Sequence, residues 1–233
     1  METLLKETAL LNYGAPQIQA LIQSRDWRGL NEKQRISAIY AFVRDEVAFG
    51  YSASDGIRAT DVLDDGYGQC NTKGTLLMAL LRAVGIPCRM HGFYIDKAIQ
   101  KGTIKGFYYR QSPKEILHSW VEVLYNGKWL NFEGFILDRK YLRKLQRKFL
   151  GNTGFFSGFG VATQDFANPP VEWDGNDTYI QKEGITKDLG IFDDPDELFE
   201  TFRQKLGRVQ GFAYKYLVRH LMNRNVQKIR LIE

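Results

Sequence analysis

Length, composition and charge identify an ordinary folded protein. The chain has 233 residues, enough for one substantial domain with a hydrophobic core, and its 44% hydrophobic and 25% charged residues exclude disordered and fibrous classes. No apolar run approaches the roughly 20 residues that a membrane-spanning helix needs. The opening METLLKETALLNYG has neither the basic region nor the cleavage site of a secretory signal, so we expect a cytoplasmic protein with reduced cysteines.

The net charge of +5 permits weak binding to nucleic acid or to an anionic surface without requiring it. Part of the excess lies in the run RKYLRKLQRK, which is typical of a solvated helix face. No base-reading motif accompanies this run. The sequence therefore argues against a nucleic-acid partner, and it gives no indication of a membrane partner.

Caps and apolar spacing predict the elements of the first half of the chain. One helix is expected over 16–23, and a second follows Asn31, whose partner Gln34 completes a capping box. A short strand is expected over 47–51. The segment 52–68 is rich in Asp, Gly and Ser, which predicts a loop.

The middle of the chain predicts a helix that leads into an antiparallel sheet. Residues 71–84 carry a helical apolar stripe that ends before Gly85, as helices commonly do, and 88–95 resembles a strand. A connection over 96–114, partly structured near 107–109, leads to HSWVEVLYNGKWLNFEG. Its two alternating runs around Asn126 and Gly127 predict a hairpin.

The last third is predicted to be helical and irregular. A basic helix begins at Arg139, an aromatic, glycine-rich segment covers 151–177, and further helices are expected over 195–206 and 212–223. The aromatic stretch 151–166 is a candidate lid over a binding groove. The whole predicts an α+β fold: a helical N-terminal flank (1–50), a core (51–138) and a C-terminal extension (139–233) packed on that core as one domain.

Cys70 occupies a position typical of a nucleophile. It follows the turn residues DDGYG and starts a long helix, where unpaired N–H groups and the helix dipole favour a thiolate. The preceding glycines allow a sharp turn and close approach of a substrate. Such a nucleophile needs a base, usually histidine.

His118 is the best placed of the three histidines to act as that base. If Asn126 and Gly127 form a two-residue turn, cross-strand partners have numbers that sum to 253, which makes His118 and Glu133 diagonal neighbours on one face of the sheet. Glu133 could then orient the imidazole. Asn131 is the second choice for this role and Asp138 the third.

These residues together resemble the transglutaminase-like superfamily, which has a papain-like α+β fold. The resemblance rests on G-x-C at a helix start, the run ALLRAVGIPCR, and H-x-W-V-E-V followed by G-K-W and an acid, and it spans about residues 62–138. It implies that Cys70 is the nucleophile and His118 the base. Glu133 stands four residues after Trp129, where the family usually has aspartate. The family also implies an oxyanion hole formed by the N–H of Cys70 and a second donor, for which Gln69, Tyr67 and Tyr51 are unranked candidates.

The remaining candidate residues have simpler interpretations. Cys88 lies on an apolar strand and is expected to be structural, His91 is expected to be a satisfied polar residue, and His220 belongs to a basic helix face. Three scattered histidines and two cysteines match no metal-site spacing, so neither a metal nor a cofactor is expected. Trp120 fits two roles equally, a core aromatic or a shield for the catalytic pair.

The sequence therefore predicts a cysteine enzyme that acts on an amide or peptide bond through a Cys70–His118–Glu133 triad. Hydrolysis is preferred to transfer onto an amine because no acceptor site is marked, and the expected partner is a protein or peptide substrate. The alternatives are a catalytically inactive member of the family that binds proteins and, less favoured, a basic nucleic-acid-binding protein.

Overall fold

A computed structural model describes residues 2–202 and 207–232 of the chain. Within them the helices are α1 Pro16–Ser24, α2 Glu32–Asp45, α3 Ala59–Asp65, α4 Cys70–Ala83, α5 Gly106–Gln111, α6 Arg139–Lys148, α7 Pro195–Thr201, α8 Arg208–Ala213 and α9 Arg219–Arg230, the last preceded by a π-helical turn over Tyr214–Val218. The strands are β1 Ala48–Phe49, β2 Tyr67–Gly68, β3 Cys88–Asp96, β4 Glu115–Tyr125, β5 Lys128–Phe132, β6 Phe156–Gly158, β7 Val161–Thr163 and β8 Ile185–Phe192. The predicted α+β class is confirmed.

The main sheet is antiparallel, with the strand order β5-β4-β3-β8. Its β4–β5 hairpin turns at Asn126 and Gly127, which have φ values of 49° and 73°, as a two-residue turn of this kind requires. Glu122 pairs with Asn131 and Leu124 with Trp129. The register predicted from the turn is therefore confirmed.

Helix α4 packs against one face of this sheet. Every residue from Asn71 to Arg82 is buried, and Gly74 lies against the side chains of Met90 and Val121. A helix that is covered on all sides holds its first residue firmly, because it cannot tilt without opening the core. The first residue of α4 is Cys70.

The segment predicted as a loop over 52–68 contains a helix and a strand. Arg58 precedes α3 and pairs with Asp61 through its guanidinium, and the helix ends at Gly66 with a φ of 67°. Strand β2 then pairs in parallel with β1. The loop prediction was wrong because α3 is a short helix whose polar composition resembles that of a loop.

The fourth strand of the sheet was also missed. Strand β8 pairs with β3, with register shifts near Gly92 and Tyr94, and its outer face is largely exposed. These irregularities break the strict alternation by which strands are recognised in a sequence. The C-terminal third is therefore not only helical and irregular, since it completes the sheet.

Helix α9 is tied to the core by polar contacts. Asn223 accepts from the main-chain N–H of Tyr51 and donates to its carbonyl oxygen, and Arg230 forms an ion pair with Asp138. The predicted helix over 195–206 is observed as α7, and residues 203–206 lie outside the described part of the chain. The division into flank, core and extension stays a prediction. Over the described residues, no helix is both long and apolar enough to cross a membrane.

Candidate active site

Cys70 is the first residue of α4 and is partly exposed. The chain reaches it through Gly68, where an added Cβ would lie 2.5 Å from the Thr72 hydroxyl and 3.0 Å from a Lys73 side-chain carbon. Only glycine fits there, so the glycine before the cysteine is required by a close approach within the protein. The thiol consequently sits where the free N–H groups of the helix end converge.

The start of α4 is fastened on two sides. The Gln69 side chain accepts from the N–H of Ser52 at 2.8 Å and donates to Asp55 at 3.1 Å. These two bonds hold the loop after β1 against the start of α4. On the other side, the Asn71 amide donates to the carbonyl oxygen of Leu117 at 3.1 Å and accepts from the Ser119 hydroxyl at 2.8 Å. These bonds place Cys70 beside the first half of β4, which extends beyond the segment that β5 pairs with.

His118 lies in that half of β4 and is fully buried. Its Nε2 atom lies 2.9 Å from Oε1 of Glu133, which follows directly after β5 and is also fully buried. The pair predicted from the hairpin register is therefore in contact. The extra methylene of glutamate does not prevent this contact.

The second carboxylate oxygen of Glu133 is bound by main chain. Oε2 accepts from the N–H groups of Ile180, Gln181 and Lys182, at 2.8, 2.8 and 3.0 Å. With the bond to His118, the carboxylate is held by four hydrogen bonds. The sequence contains no signal for this contribution, because a main-chain N–H is present at every residue except proline.

The other ring nitrogen of His118, Nδ1, is buried and has no conventional hydrogen-bond partner within the described part of the chain. Burial opposes protonation of His118, but the charge and contact of Cys70, together with Glu133, outweigh it and raise the pKa of His118 to about 10. Because Nε2 is occupied by Glu133, Nδ1 is the atom left for the thiol. The imidazole is thus placed between a carboxylate and a sulfur.

The two alternative orienting residues lie elsewhere. The Asn131 amide donates to Asp177 and to the hydroxyl of Tyr179. Asp138 is the N-cap of α6 and forms an ion pair with Arg230. Neither is bonded to His118, so Glu133 is the candidate that the geometry brings to the histidine.

The three candidates for a second oxyanion donor are differently placed. Gln69 uses both ends of its side chain on Ser52 and Asp55, and the Tyr67 hydroxyl accepts from Arg219. Tyr51 and Gln69 both line the same cavity as Cys70. Burial raises the pKa of Tyr51, and the charge of Cys70 raises it further. The Tyr51 hydroxyl lies 3.0 Å from Oγ1 of Thr103, which itself donates to the carbonyl oxygen of Gln100, so Tyr51 donates to Thr103. All three side chains are therefore engaged with other partners, and the second donor stays a prediction.

Cys88 and the other histidines lie outside this arrangement. Cys88 is fully buried against the carbonyl oxygen of Met78, and burial raises the pKa of its thiol to about 11. His91 bridges Glu122 and Asp188 at 2.8 and 2.9 Å, and His220 is exposed. Among the described residues, no cluster of His, Cys, Asp and Glu has the arrangement of a metal site.

Aromatic residues cover the histidine. The Phe93 ring lies 6.2 Å from the His118 ring and 4.2 Å from that of Trp120, which is itself almost fully buried. Trp120 therefore packs in the core and, through Phe93, takes part in excluding water from His118. Both interpretations of this residue apply.

The candidate lid over 151–166 forms a supporting hairpin. Its strands β6 and β7 pair with each other, Ala162 donates to the carbonyl oxygen of Ile180, and the Gln181 side chain donates to the carbonyl oxygen of Gly160. The segment thus fixes the turn whose N–H groups bind Glu133. The segment therefore supports the Glu133 carboxylate through residues 180 and 181. These contacts do not support the prediction that it is a lid.

Comparisons with known proteins find one family that the central part of the chain is similar to. Residues 22–134 match the model of the transglutaminase-like superfamily. Among curated proteins, no sequence matches this one.

Two solved structures resemble the chain distantly. One, from Cytophaga hutchinsonii, is a candidate cysteine protease with a TM-score of 0.48 and 14% identity over 83% of this chain and 47% of that one. The other is red sea bream transglutaminase, with a TM-score of 0.31 and 18% identity over 56% of this chain and 25% of that one. The match thus spans less than half the length of each.

Proposed function

We propose that this protein, whose residues 22–134 match the transglutaminase-like superfamily, is a cysteine enzyme that cleaves an amide or peptide bond through an acyl-enzyme. The observation that carries the proposal is the buried His118–Glu133 pair beside the partly exposed thiol at the start of α4. A thiol, a base and an orienting acid in contact are what nucleophilic catalysis requires. A reduced Cys70 suits the cytoplasm.

In the first half of the reaction, the Cys70 sulfur attacks the carbonyl carbon and a C–S bond forms. The carbonyl oxygen takes up the negative charge, facing the N–H groups at the start of α4. The C–N bond then breaks as His118 gives its proton to the leaving amine. Glu133 holds the ring so that Nδ1 faces the sulfur throughout.

In the second half, the acyl group leaves the sulfur. Water gives a proton to His118 and attacks the thioester carbonyl, the C–S bond breaks, and the thiolate is regenerated beside a protonated imidazole. An amine could replace water without changing the other steps. We keep hydrolysis as the preferred outcome because no amine-acceptor site is evident around Cys70 within the described residues. A peptide or protein is the proposed substrate.

The first test is the pH dependence of alkylation at Cys70 and Cys88, read by peptide mass spectrometry in the wild type, His118→Ala and His91→Ala. We expect Cys70 to react well below the ordinary thiol pKa of about 8.5 and to lose this advantage only in His118→Ala. Cys88 serves as an internal control because it is fully buried. His91→Ala controls for the loss of a histidine from the same sheet.

If Cys70 and Cys88 behave alike, or if His118→Ala leaves Cys70 unchanged, the nucleophile is not activated and the proposal fails. The fold would then be one retained for binding other proteins, without catalysis. A loss of Cys70 reactivity in both histidine variants would indicate that the sheet is disturbed, and it would remove the support for a specific base.

A further inference from the structure

A cavity of about 990 Å³ opens beside Cys70 and His118. Its wall is mostly aliphatic and aromatic, and its apolar lining comes from separate parts of the fold, including Ile99, Ile104, Ile116, Phe199, Val218 and Met222. This volume is at the upper end of the range for sites that enclose a whole small molecule. A carboxamide side chain alone would leave most of it empty.

Apart from His118 and the N–H groups at the start of α4, the described part of the wall carries no positive charge that could bind an anion. The chain has 32 lysines and arginines, yet none is among the described residues that line the cavity. Of the carboxylates there, Asp55 accepts from Gln69 and has a pKa raised by burial, Asp196 accepts from the N–H of Leu10, and Glu200 is exposed. Away from Cys70 and His118, an uncharged group is therefore favoured over an anionic one.

The rim of the cavity carries exposed aromatic rings. Phe107 lines the cavity and is 63% exposed. Phe212 is 67% exposed and packs on Tyr216, with ring centroids 4.6 Å apart, next to the cavity-lining Ala213 and Tyr214. Large apolar side chains kept in solvent at a cavity mouth indicate that something apolar passes there.

We propose that the acyl half of the substrate, the part left on the Cys70 sulfur, carries a large uncharged apolar group that fills this cavity. The inference rests on the proposed function, because it assigns the cavity to the acyl-enzyme. The cavity would select amide substrates by their acyl part. The proposal does not specify the leaving amine.

The proposal is tested with p-nitrophenyl esters of acetate, butanoate and octanoate. In this reaction the Cys70 thiolate forms a C–S bond to the acyl carbon, and the C–O bond breaks with its electron pair leaving on nitrophenolate, which needs no proton. The burst of nitrophenolate gives the acylation rate, and mass spectrometry locates the acyl group. Burial of each methylene favours binding by about fourfold, so the four extra methylenes of octanoate would give about 250-fold over butanoate if all were buried. We expect at least about tenfold in the second-order acylation rate, which corresponds to burial of about two of them.

A matched ligand and a matched pair of variants sharpen the test. The mono-p-nitrophenyl ester of suberic acid has the length of the octanoate ester but ends in a carboxylate, and we expect it to react no faster than butanoate. Ala213→Trp narrows the cavity and should lower the octanoate rate by a larger factor than the acetate rate. Leu217→Trp adds the same ring to the same segment outside the cavity, and it should change neither rate.

Two failures are distinguishable. If the acetate ester or the suberate ester acylates Cys70 as fast as the octanoate ester does, the inference about the acyl group is wrong. Cys70 would still be shown to be a nucleophile. If no ester acylates Cys70 and its alkylation is that of an ordinary thiol, the proposed function fails and takes the inference with it. Protection of the buried Cys88 from alkylation in Ala213→Trp shows that the variant is folded.

Discussion

The carboxylate of Glu133 joins His118 to a turn that lies about fifty residues further along the chain. Its Oε1 atom is 2.9 Å from Nε2 of His118, while Oε2 accepts from the three N–H groups of residues 180–182. The extra methylene of glutamate has a use in this arrangement, because one carboxylate spans the distance between the sheet and the turn. The C-terminal extension is thus part of the candidate site.

The first prediction concerns Glu133→Gln. A glutamine places an NH₂ group against either the N–H donors of the turn or the Nε2–H of His118, so one set of hydrogen bonds is lost and the imidazole is left in the wrong orientation. We expect the second-order rate of Cys70 alkylation to fall by about a hundredfold or more. The rate is measured with iodoacetamide at neutral pH, alongside thermal unfolding.

Glu122→Gln is the matched control for this change. Glu122 lies on the same hairpin, is also buried, and pairs with Arg89 and His91, away from Cys70. It should lose stability without losing Cys70 reactivity. Equal effects of the two substitutions on reactivity would contradict the role assigned to Glu133.

The second prediction is an alkaline decline in activity that depends on the leaving group. Burial lowers the pKa of His118, but its interactions with Cys70 and Glu133 raise it by more, to about 10, so the imidazolium persists through neutral pH and loses its proton as the pH rises through that value. An amine leaving group needs that proton, whereas nitrophenolate does not. We expect kcat/KM for a p-nitroanilide to fall at alkaline pH while that for the matching p-nitrophenyl ester does not.

Parallel profiles for the two substrates would contradict this assignment. A decline shared by the anilide and the ester would indicate loss of the folded state, which circular dichroism at the same pH values would detect. No decline in either would mean that His118 does not supply the proton.

The third prediction concerns Lys73, which follows Cys70 by three residues and is fully buried. Its Nζ atom donates to the carbonyl oxygens of Arg44 and Ile136, and burial lowers the pKa of the amine to about 7, against the opposing influence of Asp138. Above that pH the folded protein holds fewer protons at this site than the unfolded chain. The free energy of unfolding should therefore gain a contribution as the pH rises from about 7 towards about 10.

Lys73→Met removes this contribution and isolates it. His118 acts in the opposite direction, since its raised pKa stabilises the folded state at low pH and this stabilisation is lost as the pH rises through the folded value. That effect is common to both proteins and cancels in their difference. Urea unfolding should show that the free energy of unfolding of the wild type increases relative to that of Lys73→Met as the pH rises. If the difference between the two free energies does not change with pH, the assignment is wrong.

The part of the site that the sequence predicts is the part fixed by local spacing. The position of Cys70 follows from the helix start. The contact of His118 with Glu133 follows from the two-residue turn, because the length of the turn fixes which residues of the two strands lie opposite each other along the whole hairpin. A slip of one residue at Asn126 would have sent Glu133 to the other face. The sequence left that slip open, and the observed pairing of Leu124 with Trp129 excludes it.

The parts that the sequence does not predict come from distant segments. The N–H groups of residues 180–182 have no side-chain signature, and strand β8 is irregular and half exposed. The cavity wall contributed by Val218 and Met222 depends on how α9 packs, which is fixed by the contacts of Asn223 and Arg230 with the core. Long-range packing of this kind cannot be read from periodicity.

The last prediction tests the glycine before the nucleophile. In Gly68→Ala the new methyl group would lie 2.5 Å from the Thr72 hydroxyl and 3.3 Å from the main-chain nitrogen of Lys73, so the first turn of α4 must shift. Such overpacking costs about 1–3 kcal/mol of stability, and a displaced Cys70 should alkylate more slowly.

Gly56→Ala is the matched control, since Gly56 lies in the preceding loop, lines the cavity and has nothing within 4 Å of its added Cβ. It should change stability by no more than about 0.5 kcal/mol and leave Cys70 reactivity intact. If Gly68→Ala reacts as the wild type does, the position of the thiol does not depend on this approach, and the helix start tolerates more movement than its packing implies.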